Sequence, residues 1–413
     1  MKRIALIGCL ALLGGQVACK KETKKTEKTP ETDPTAGKTT EPTETPPPQP
    51  EKAKLDTPED KVAFVKACTG FMNAKDWDKF GGCYTDSATF EHVDSQMPPA
   101  TGKQAILDNL KGMASGFPDF AITPTMLFVS GNKVAEVGVY TGTNSGAMKG
   151  PDGEMPATNK KVGVWYLNVL ELDPAAGGVT KESLYTDEGT MMGQLGLHKM
   201  PVRPVAEKPA GEPQVVVAKD DDAEKANVEA YKKGMDAFAK KDTKTMMAMW
   251  DDKAVMHDYG SPKDMDKKAS QKMMGEVMKA FPDAKGEVVD IWGAGDYVIA
   301  VVKNSGTNKA AMPSMGLKKP TNKPMSFTGA DVVKMANGKA VESWSFYNGA
   351  AIAMQLGLMP SPAKGATPPA DGAAKDGAAP ADGADKAMDK GKKPAKGAKK
   401  DEAAPAEKEG ATP

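Results

Sequence analysis

The feature of this sequence that most restricts its fold is a long internal repeat. Three short motifs of the first half return in the same order in the second half. They are Phe117-Pro118-Asp119 and Phe281-Pro282-Asp283, Thr141-Gly142-Thr143 and Ser305-Gly306-Thr307, and Gln194-Leu195-Gly196-Leu197 and Gln355-Leu356-Gly357-Leu358. The first two pairs are separated by 164 residues and the third by 161. A period of this length indicates two copies of a whole domain, because solenoid proteins repeat every ~20–50 residues.

Each copy is predicted to begin with helices and to continue with strands. Apolar residues at helical spacing predict the opening helices, and they are Phe64, Cys68 and Phe71 in copy one and Val228, Tyr231, Met235 and Phe238 in copy two. A short second helix is predicted after each Lys-Asp pair (75–76 and 241–242), and a third before each Phe-Pro-Asp motif. Strands are predicted at 133–141, 165–172 and 181–187, and at 297–303, 325–335 and 340–348. This order indicates an α+β fold with an antiparallel sheet packed against helices.

The amino-terminal residues 1–18 are predicted to be a lipoprotein signal peptide. A basic start at Lys2 and Arg3 precedes an apolar stretch, residues 4–13, that is too short to span a bilayer. Ala18-Cys19 resembles the cleavage site of bacterial lipoproteins, which implies acylation of Cys19 and a membrane as partner. By the same resemblance, Lys20 implies the outer membrane, facing the periplasm or the surface. The alternative is an ordinary secretory signal followed by an unrelated cysteine.

Composition divides the remainder of the chain. Residues 19–56 are rich in Lys, Thr, Glu and Pro without an aromatic residue, which predicts a disordered tether. Residues 361–413 are rich in Ala, Gly, Pro and Lys and are predicted to be a disordered tail. Between them we expect domain 1 at 57–199, a linker at 200–222 and domain 2 at 223–360. Lys+Arg and Asp+Glu both number 55, and this balance argues against nucleic acid as a partner.

The order and spacing of the second copy's motifs resemble SnoaL-like (polyketide or ester cyclase) domains of the NTF2-like superfamily. The motifs are Phe281-Pro282-Asp283, Gly295-Asp296-Tyr297-Val298, Gly306-Thr307, residues 324–331, residues 338–344, Asn348 and the Gln-Leu-Gly-Leu segment. The resemblance implies a curved sheet wrapped by helices into a cone with an apolar cavity. It also implies that the two copies pack side by side as an internal pseudo-dimer. The family includes cyclases, isomerases and hydrolases that act on small molecules, and many domains without known activity.

The candidate catalytic residues are Asp331, His257 and Asp187. Strand alternation places Asp331 on the apolar, inward face, where burial would raise its pKa toward that of a general acid or base. Related cyclases use an aspartate in the cavity, often with a histidine or further aspartates. At the corresponding position of copy one stands Asn168, and Asn348 of copy two corresponds to Asp187. Each copy therefore keeps one carboxylate, which indicates either an eroded paired site or two single-carboxylate sites.

The walls of the cavity are predicted from the aromatic and amide residues of the same strands. They are Phe327, Trp344, Asn348 and Tyr259 in copy two and Trp165 and Asn168 in copy one. Such walls suit a small hydrophobic ligand. With three histidines in the chain and no Cys/His cluster, we expect no metal site and no cofactor. Cys68 and Cys83 form either a disulfide, as an exported protein permits, or a pair of small buried side chains.

Three functions remain open from the sequence. The leading hypothesis is a membrane-anchored extracytoplasmic protein that binds small hydrophobic ligands or protein partners without robust catalysis. The first alternative is a cyclase or isomerase that moves a proton on a carbonyl substrate, with Asp331 and His257 as the acid/base pair. The second alternative is a structural envelope protein whose tail makes the contacts.

Overall fold

The structure, a computed structural model, describes residues 52–150 and 153–360. The predicted signal peptide, Cys19, most of the tether and the tail lie outside these residues. Among the described residues, no helix has the length and apolar character needed to cross a membrane.

The first copy contains four helices and eight strands in the part of the chain that is described. The helices are α1 (Pro58–Ala74), α2 (Trp77–Gly81), α3 (Lys103–Gly116) and α4 (Glu188–Gln194). The strands are β1 (Tyr84–His92), β2 (Ala100–Thr101), β3 (Ala121–Ser130), β4 (Lys133–Thr143), β5 (Met148–Gly150), β6 (Gly153–Met155), β7 (Lys161–Asp173) and β8 (Gly178–Thr186). A further strand, β9 (Gln214–Val217), follows within the predicted linker.

The second copy repeats this order. Its helices are α5 (Asp222–Ala239), α6 (Thr243–Ala248), α7 (Lys267–Ala280) and α8 (Gly349–Leu356), with a 3₁₀ turn at Pro313–Met315. Its strands are β10 (Trp250–Asp258), β11 (Met265–Asp266), β12 (Lys285–Ala294), β13 (Tyr297–Thr307), β14 (Pro324–Ala336) and β15 (Lys339–Phe346). The predicted α+β fold is confirmed, but the order of its elements is mixed: β1 precedes α3, β10 precedes α7, and a helix follows the last strand of each copy. The strands β1, β3, β10 and β12 were not predicted from the sequence.

Each copy has one main sheet. The strand orders are β2-β1-β8-β7-β4-β3-β9 in the first and β11-β10-β15-β14-β13-β12 in the second. Most neighbouring strands are antiparallel, but β1 and β8, β10 and β15, and β3 and β9 pair in parallel. Parallel pairing needs a long connection, and each of these pairs has one: most of a domain separates β1 from β8 and β10 from β15, and β4 to α4 separate β3 from β9.

The repeated sequence motifs hold strand ends in place. Asp119 Oδ1 accepts a hydrogen bond from the Thr143 N–H at 2.6 Å, and Asp283 Oδ1 accepts one from the Thr307 N–H at 2.7 Å. These contacts join the Phe-Pro-Asp turn to the end of the adjacent long strand in both copies. Gln355 likewise bonds both backbone groups of Ser326. The landmarks of the duplication are therefore structural.

Local sequence explains where α1 begins. The Thr57 hydroxyl oxygen accepts from the Asp60 N–H, and the Thr57 N–H donates in return to the Asp60 carboxylate, while Pro58 occupies the first turn. A disulfide joins Cys68 of α1 to Cys83, directly before β1. The sequence left this pairing open, and the structure forms it.

The two sheets pack against each other, face to face, through apolar side chains of both copies. We call this layer the intersheet core, and its larger members are Met126, Phe128, Val137, Leu167, Val169, Tyr185, Tyr259, Tyr297, Ile299, Val301, Val332, Trp344 and Phe346. The opposite face of each sheet packs against the helices of its own copy. The predicted side-by-side pairing of the copies is therefore what the structure has.

The end of the predicted tether and the predicted linker both pack on the domains where they are described. Leu55, at the end of the predicted tether, is buried in the core of the first copy. In the predicted linker, β9 adds a parallel strand beside β3. Arg203 of the same segment lies over the ring of Tyr259, 4.8 Å from its centroid, and pairs with Asp264 at 2.7 Å. The linker therefore packs across both copies, because its valines and Arg203 find partners that sequence composition does not reveal.

Candidate functional site

A row of cross-strand partners crosses the helix-facing side of the first sheet. His92 pairs in register with Leu184, Leu184 with Asn168, and Asn168 with Glu136. Residues that pair in register point to the same face of a sheet. The structure therefore brings a histidine, an amide and a carboxyl together on the inward side of four neighbouring strands.

Two tyrosines and a second glutamate complete this group, which we call the first polar cluster (Tyr84, His92, Glu136, Tyr166, Asn168 and Glu182). The Tyr166 hydroxyl donates to Glu136 Oε1 at 2.5 Å, and the Tyr84 hydroxyl donates to Glu182 Oε2 at 2.5 Å. Glu136 is 3% exposed and Glu182 is 8% exposed. Both carboxyl groups are thus buried, and each accepts a short hydrogen bond from its own tyrosine hydroxyl.

Burial determines the protonation of this pair. Loss of solvent is the main reason that the pKa of Glu136 rises from its ordinary value of 4.5 to about 7; the Tyr166 hydrogen bond acts to lower it and the nearby Glu182 to raise it. Loss of solvent also raises the pKa of Glu182 to about 7, against the lowering effect of the Tyr84 hydrogen bond. Two groups that change charge near neutral pH therefore lie in the interior of the first copy.

Two polar atoms of the first polar cluster have no hydrogen-bond partner within residues 52–150 and 153–360. They are Asn168 Oδ1 and His92 Nε2, and both are buried. Asn168 is 8% exposed, and the His92 side chain is 9% exposed. Buried polar atoms without partners are rare in folded proteins, and each calls for an explanation such as a catalytic role or a partner from outside the chain.

The corresponding row in the second copy has different chemistry. Asp258 pairs in register with Ser345, Ser345 with Asp331, and Asp331 with Ala300. With Tyr231 and Tyr347 these residues form the second polar cluster (Tyr231, Asp258, Asp331, Ser345 and Tyr347). Asp331 Oδ2 accepts from the Tyr231 hydroxyl at 2.7 Å, and Asp258 accepts from the Ser261 hydroxyl at 2.8 Å.

The carboxyl groups of the second polar cluster are bonded to their own neighbours. Burial raises the pKa of Asp331, while hydrogen bonds from Ser345 and Tyr231 lower it and the charge of Asp258 raises it. Burial likewise raises the pKa of Asp258 against hydrogen bonds from Ser261 and Tyr347. The predicted inward orientation of Asp331 agrees with the structure, where it contacts α5 through Tyr231.

His257 does not lie beside Asp331, so the acid/base pair inferred from the sequence is corrected. Its ring stacks on Trp344, with centroids 5.5 Å apart, at the intersheet side of the second sheet. Its nitrogens lie 3.0 Å from Asp264 Oδ2 and 3.1 Å from Glu342 Oε1. Because neighbouring residues of a strand alternate in direction, Asp258 points toward the helices and His257 points toward the side that faces the other sheet.

Asp187 and Asn348 are helix caps, not members of a strand face. The strands end at Thr186 and Phe346, and the next residues turn the chain into α4 and α8. Asp187 accepts hydrogen bonds from Gly189 N, Thr190 N and the Thr190 hydroxyl, and from Gly349 N of the other copy at 2.9 Å. Burial raises its pKa, although these bonds lower it. With its oxygens so engaged, Asp187 has no free position for a substrate.

The predicted aromatic walls divide between two places. Trp344, Tyr259 and Trp165 contribute to the layer between the sheets, where Trp165 stacks on Tyr259 at 5.1 Å. This corrects their assignment to a cavity. Phe327 lies on the helix side, with its ring 5.4 Å from that of Tyr347, and Asn168 lies inward in the first polar cluster. Strand alternation alone did not indicate which face meets the other sheet.

Glu136 and Glu182 were not identified from the sequence. A signal was present for Glu136, which interrupts the otherwise apolar run Val134-Ala135-Glu136-Val137 in a strand that is buried on both faces. Glu182 follows Lys181 in a polar stretch and gave no comparable signal. Its burial results from the parallel pairing of β8 with β1, which the sequence did not predict.

Two surface grooves lie outside both clusters. One has a volume of about 420 Å³ and includes Lys133, Glu171 and Trp292 in its lining. The other, of about 430 Å³, lies beside Lys285 and Lys303. The candidate site is therefore defined by its buried polar groups and not by an open groove.

Comparison with known proteins gives the family. The model of the SnoaL-like polyketide cyclase family matches residues 62–195 and 228–356, so the chain belongs to this family and carries two tandem copies of its domain. Similar solved structures include AclR from Streptomyces galilaeus, with 22% identity, a TM-score of 0.30, and coverage of 32% of this chain and 97% of that chain. TsrD from Streptomyces laurentii has 18% identity, a TM-score of 0.30, and coverage of 35% and 100%. None of the curated proteins matches the chain.

Proposed function

We propose that this member of the SnoaL-like polyketide cyclase family binds a small hydrophobic molecule with a polar group in the interior of its first domain. The observation that carries the proposal is the pair of buried atoms, Asn168 Oδ1 and His92 Nε2, without partners among the described residues. Leaving such an atom unpaired costs about 1–3 kcal/mol. A ligand that supplies hydrogen bonds here would recover that free energy, while the surrounding apolar side chains would bind its hydrocarbon part.

The second domain is proposed to support the first domain and not to bind a ligand itself. Its carboxyl groups, Asp258 and Asp331, are already bonded to Ser261 and Tyr231. Its sheet packs on the sheet of the first domain through the intersheet core. Two copies with different inner chemistry but one shared core favour a division into a binding domain and a supporting domain.

The protein is further proposed to act outside the cytoplasm, held at the outer membrane by acyl chains on Cys19. The signal-like start of the sequence and the disulfide between Cys68 and Cys83 support this location, because disulfides persist in oxidising compartments. Replacing Cys19 with Ala should move the protein from the membrane fraction to the soluble periplasmic fraction. If the variant fractionates as the unchanged protein does, the anchor lies elsewhere.

Native mass spectrometry of the full chain, released from its own envelope in mild detergent, tests the binding function. We expect an additional mass of a small hydrophobic compound in the unchanged protein and its loss when Asn168 is replaced with Leu. Asn308, which is also buried but bonds Ala310, Thr321 and Asn322, offers a control of the same residue type in the second domain. Asn308→Ser should keep the ligand. An unliganded mass for the unchanged protein in every preparation would count against the proposal.

A second function, proton transfer on the bound molecule, is favoured by the pKa of Glu136 near 7. A group that is partly protonated at neutral pH can both give and take a proton. If Glu136 acts so on the keto form of an enol ligand, ligand recovered after incubation of the same sample in D₂O should carry deuterium on the carbon beside the carbonyl group. Glu136→Gln should bind the ligand and show no such incorporation. Equal incorporation in both samples would exclude this role.

A further inference from the structure

The two domains are joined by a chain of side-chain contacts that begins at Asn348. Asn348 caps α8 in the second domain, and its Nδ2 donates to Glu188 Oε2 of the first domain at 2.9 Å. The same nitrogen lies 3.2 Å from the carbonyl oxygen of Asp94. Asn348 and Glu188 are both buried, so these contacts are shielded from solvent.

Glu188 continues the chain to the first polar cluster. Its Oε1 accepts a hydrogen bond from the Ser95 hydroxyl at 2.6 Å and lies 3.4 Å from His92 Nδ1. The other nitrogen of that ring, His92 Nε2, is the atom that has no partner among the described residues. A carboxylate beside one ring nitrogen selects the tautomer that carries hydrogen there and leaves the other nitrogen as an acceptor.

The reverse connection is absent from the described residues. In the second copy, Asp258 corresponds to His92 and Gly349 to Glu188. In the first copy, Asp187 corresponds to Asn348. Gly349 has no side chain to extend toward Asp258, and its N–H donates to Asp187 Oδ1 instead. Contacts between side chains therefore lead from the second domain to the inner row of the first and not in the opposite direction.

We propose that Asn348 is a positioning residue for the binding site of the first domain. By holding Glu188, it fixes the His92 tautomer with hydrogen on Nδ1, so that Nε2 accepts a hydrogen bond from the ligand. The ligand class that fits is an apolar compound with a hydroxyl or enol group. This inference rests on the proposed function, and it gives the second domain a defined part in it.

The tautomer can be read directly from the ring ¹⁵N chemical shifts of histidine at pH 8. The full chain has three histidines, so the His92 signals are the ones that disappear from the spectrum of His92→Gln. We expect hydrogen on Nδ1 in the unchanged protein and a mixture of tautomers in Asn348→Ser, because serine caps a helix but is too short to reach Glu188. Asp266→Ser, at the cap of α7, is the matched control and should leave the His92 signal unchanged.

A second variant tests the same step without altering the cap. In Glu188→Gln the amide oxygen would take the Asn348 hydrogen bond and turn the amide N–H₂ toward His92. The His92 tautomer should then change to hydrogen on Nε2. Unchanged shifts in both Asn348→Ser and Glu188→Gln would overturn the inference, whatever ligand binds.

Binding of 2-naphthol, followed by its fluorescence, separates this inference from the proposed function. We expect Asn348→Ser and Glu188→Gln to weaken binding about tenfold, because the hydroxyl loses its acceptor. A change of tautomer with equal naphthol affinity in all variants would show that His92 does not receive the ligand. Failure of the unchanged protein to bind naphthol, with the tautomer responding as expected, would contradict the hydroxyl ligand class and leave the role of Asn348 in fixing the tautomer intact.

Discussion

Replacing Glu136 and Glu182 together with Gln is expected to remove a loss of stability that the unchanged protein suffers between about pH 4.5 and pH 7. In the unfolded chain a glutamate releases its proton near the ordinary pKa of 4.5, whereas in the folded protein each of these two keeps it to about pH 7. Between those values the folded state binds more protons, so the free energy of unfolding falls as the pH rises. A rise of this size corresponds to about 3 kcal/mol for one glutamate taken alone.

The measurement is urea unfolding of the full chain at several pH values from 4 to 8. Gln keeps an acceptor for the hydroxyls of Tyr166 and Tyr84 but cannot ionise, so the double variant should gain on the unchanged protein as the pH rises. At pH 4 the two should differ little, because both carboxyl groups are then protonated in either state. Glu287→Gln, an exposed position on β12, is the control and should follow the unchanged protein. If the free energies of unfolding of the two proteins differed by the same amount at every pH, burial would not raise the pKa of either glutamate.

Replacing Phe128 with Ala is expected to lower the free energy of unfolding by about 3–5 kcal/mol. Phe128 is fully buried in the layer between the sheets, and its ring centroid lies 5.0 Å from that of Tyr297 in the second domain. Removing the ring leaves a cavity between two sheets whose backbones are fixed by hydrogen bonds, so that the surroundings can close it only in part. Because the cavity lies between domains, their unfolding should also become less cooperative.

Urea unfolding followed separately by near-ultraviolet absorption and by circular dichroism checks this result. Coincident transitions in the unchanged protein and separated transitions in Phe128→Ala would show that the layer couples the two domains. Val289→Ala, at a side chain that is 60% exposed in the second sheet, should change stability by less than about 0.5 kcal/mol. A loss of similar size in both variants would show that the layer contributes no special stability.

The helices that open each copy and several of its strands could be predicted from the sequence because local signals mark them. The apolar stripe with Phe64, Cys68 and Phe71 gave α1, and proline in the Phe-Pro-Asp motif ended α3 and α7 at the expected residues. The duplication was visible because each repeated motif holds a turn or a strand end, as Asp119 and Asp283 do. Signals of this kind act over a few residues and can be recognised in sequence.

The candidate site was predicted less well, because it depends on which face of each strand meets the helices. Alternation correctly grouped Asp331 with the inward face, yet His257 was placed beside it although the two point to opposite sides of the sheet. Trp344 was assigned to the cavity, whereas it lies between the two sheets, where the first sheet covers it. An aromatic residue suits either layer equally, so its type does not decide between them.

Local periodicity and turn chemistry predicted the two-domain α+β organisation, three strands of each copy and the inward orientation of Asp331, but not β1, β3, β10 and β12. The sequence did not show that Glu136 and Glu182 share the interior with His92 and Asn168, or that Asn348 contacts Glu188. These contacts join strands, or domains, that lie far apart in the chain. Their partners are selected by strand register and by the packing of one sheet on the other, which no short stretch of sequence encodes.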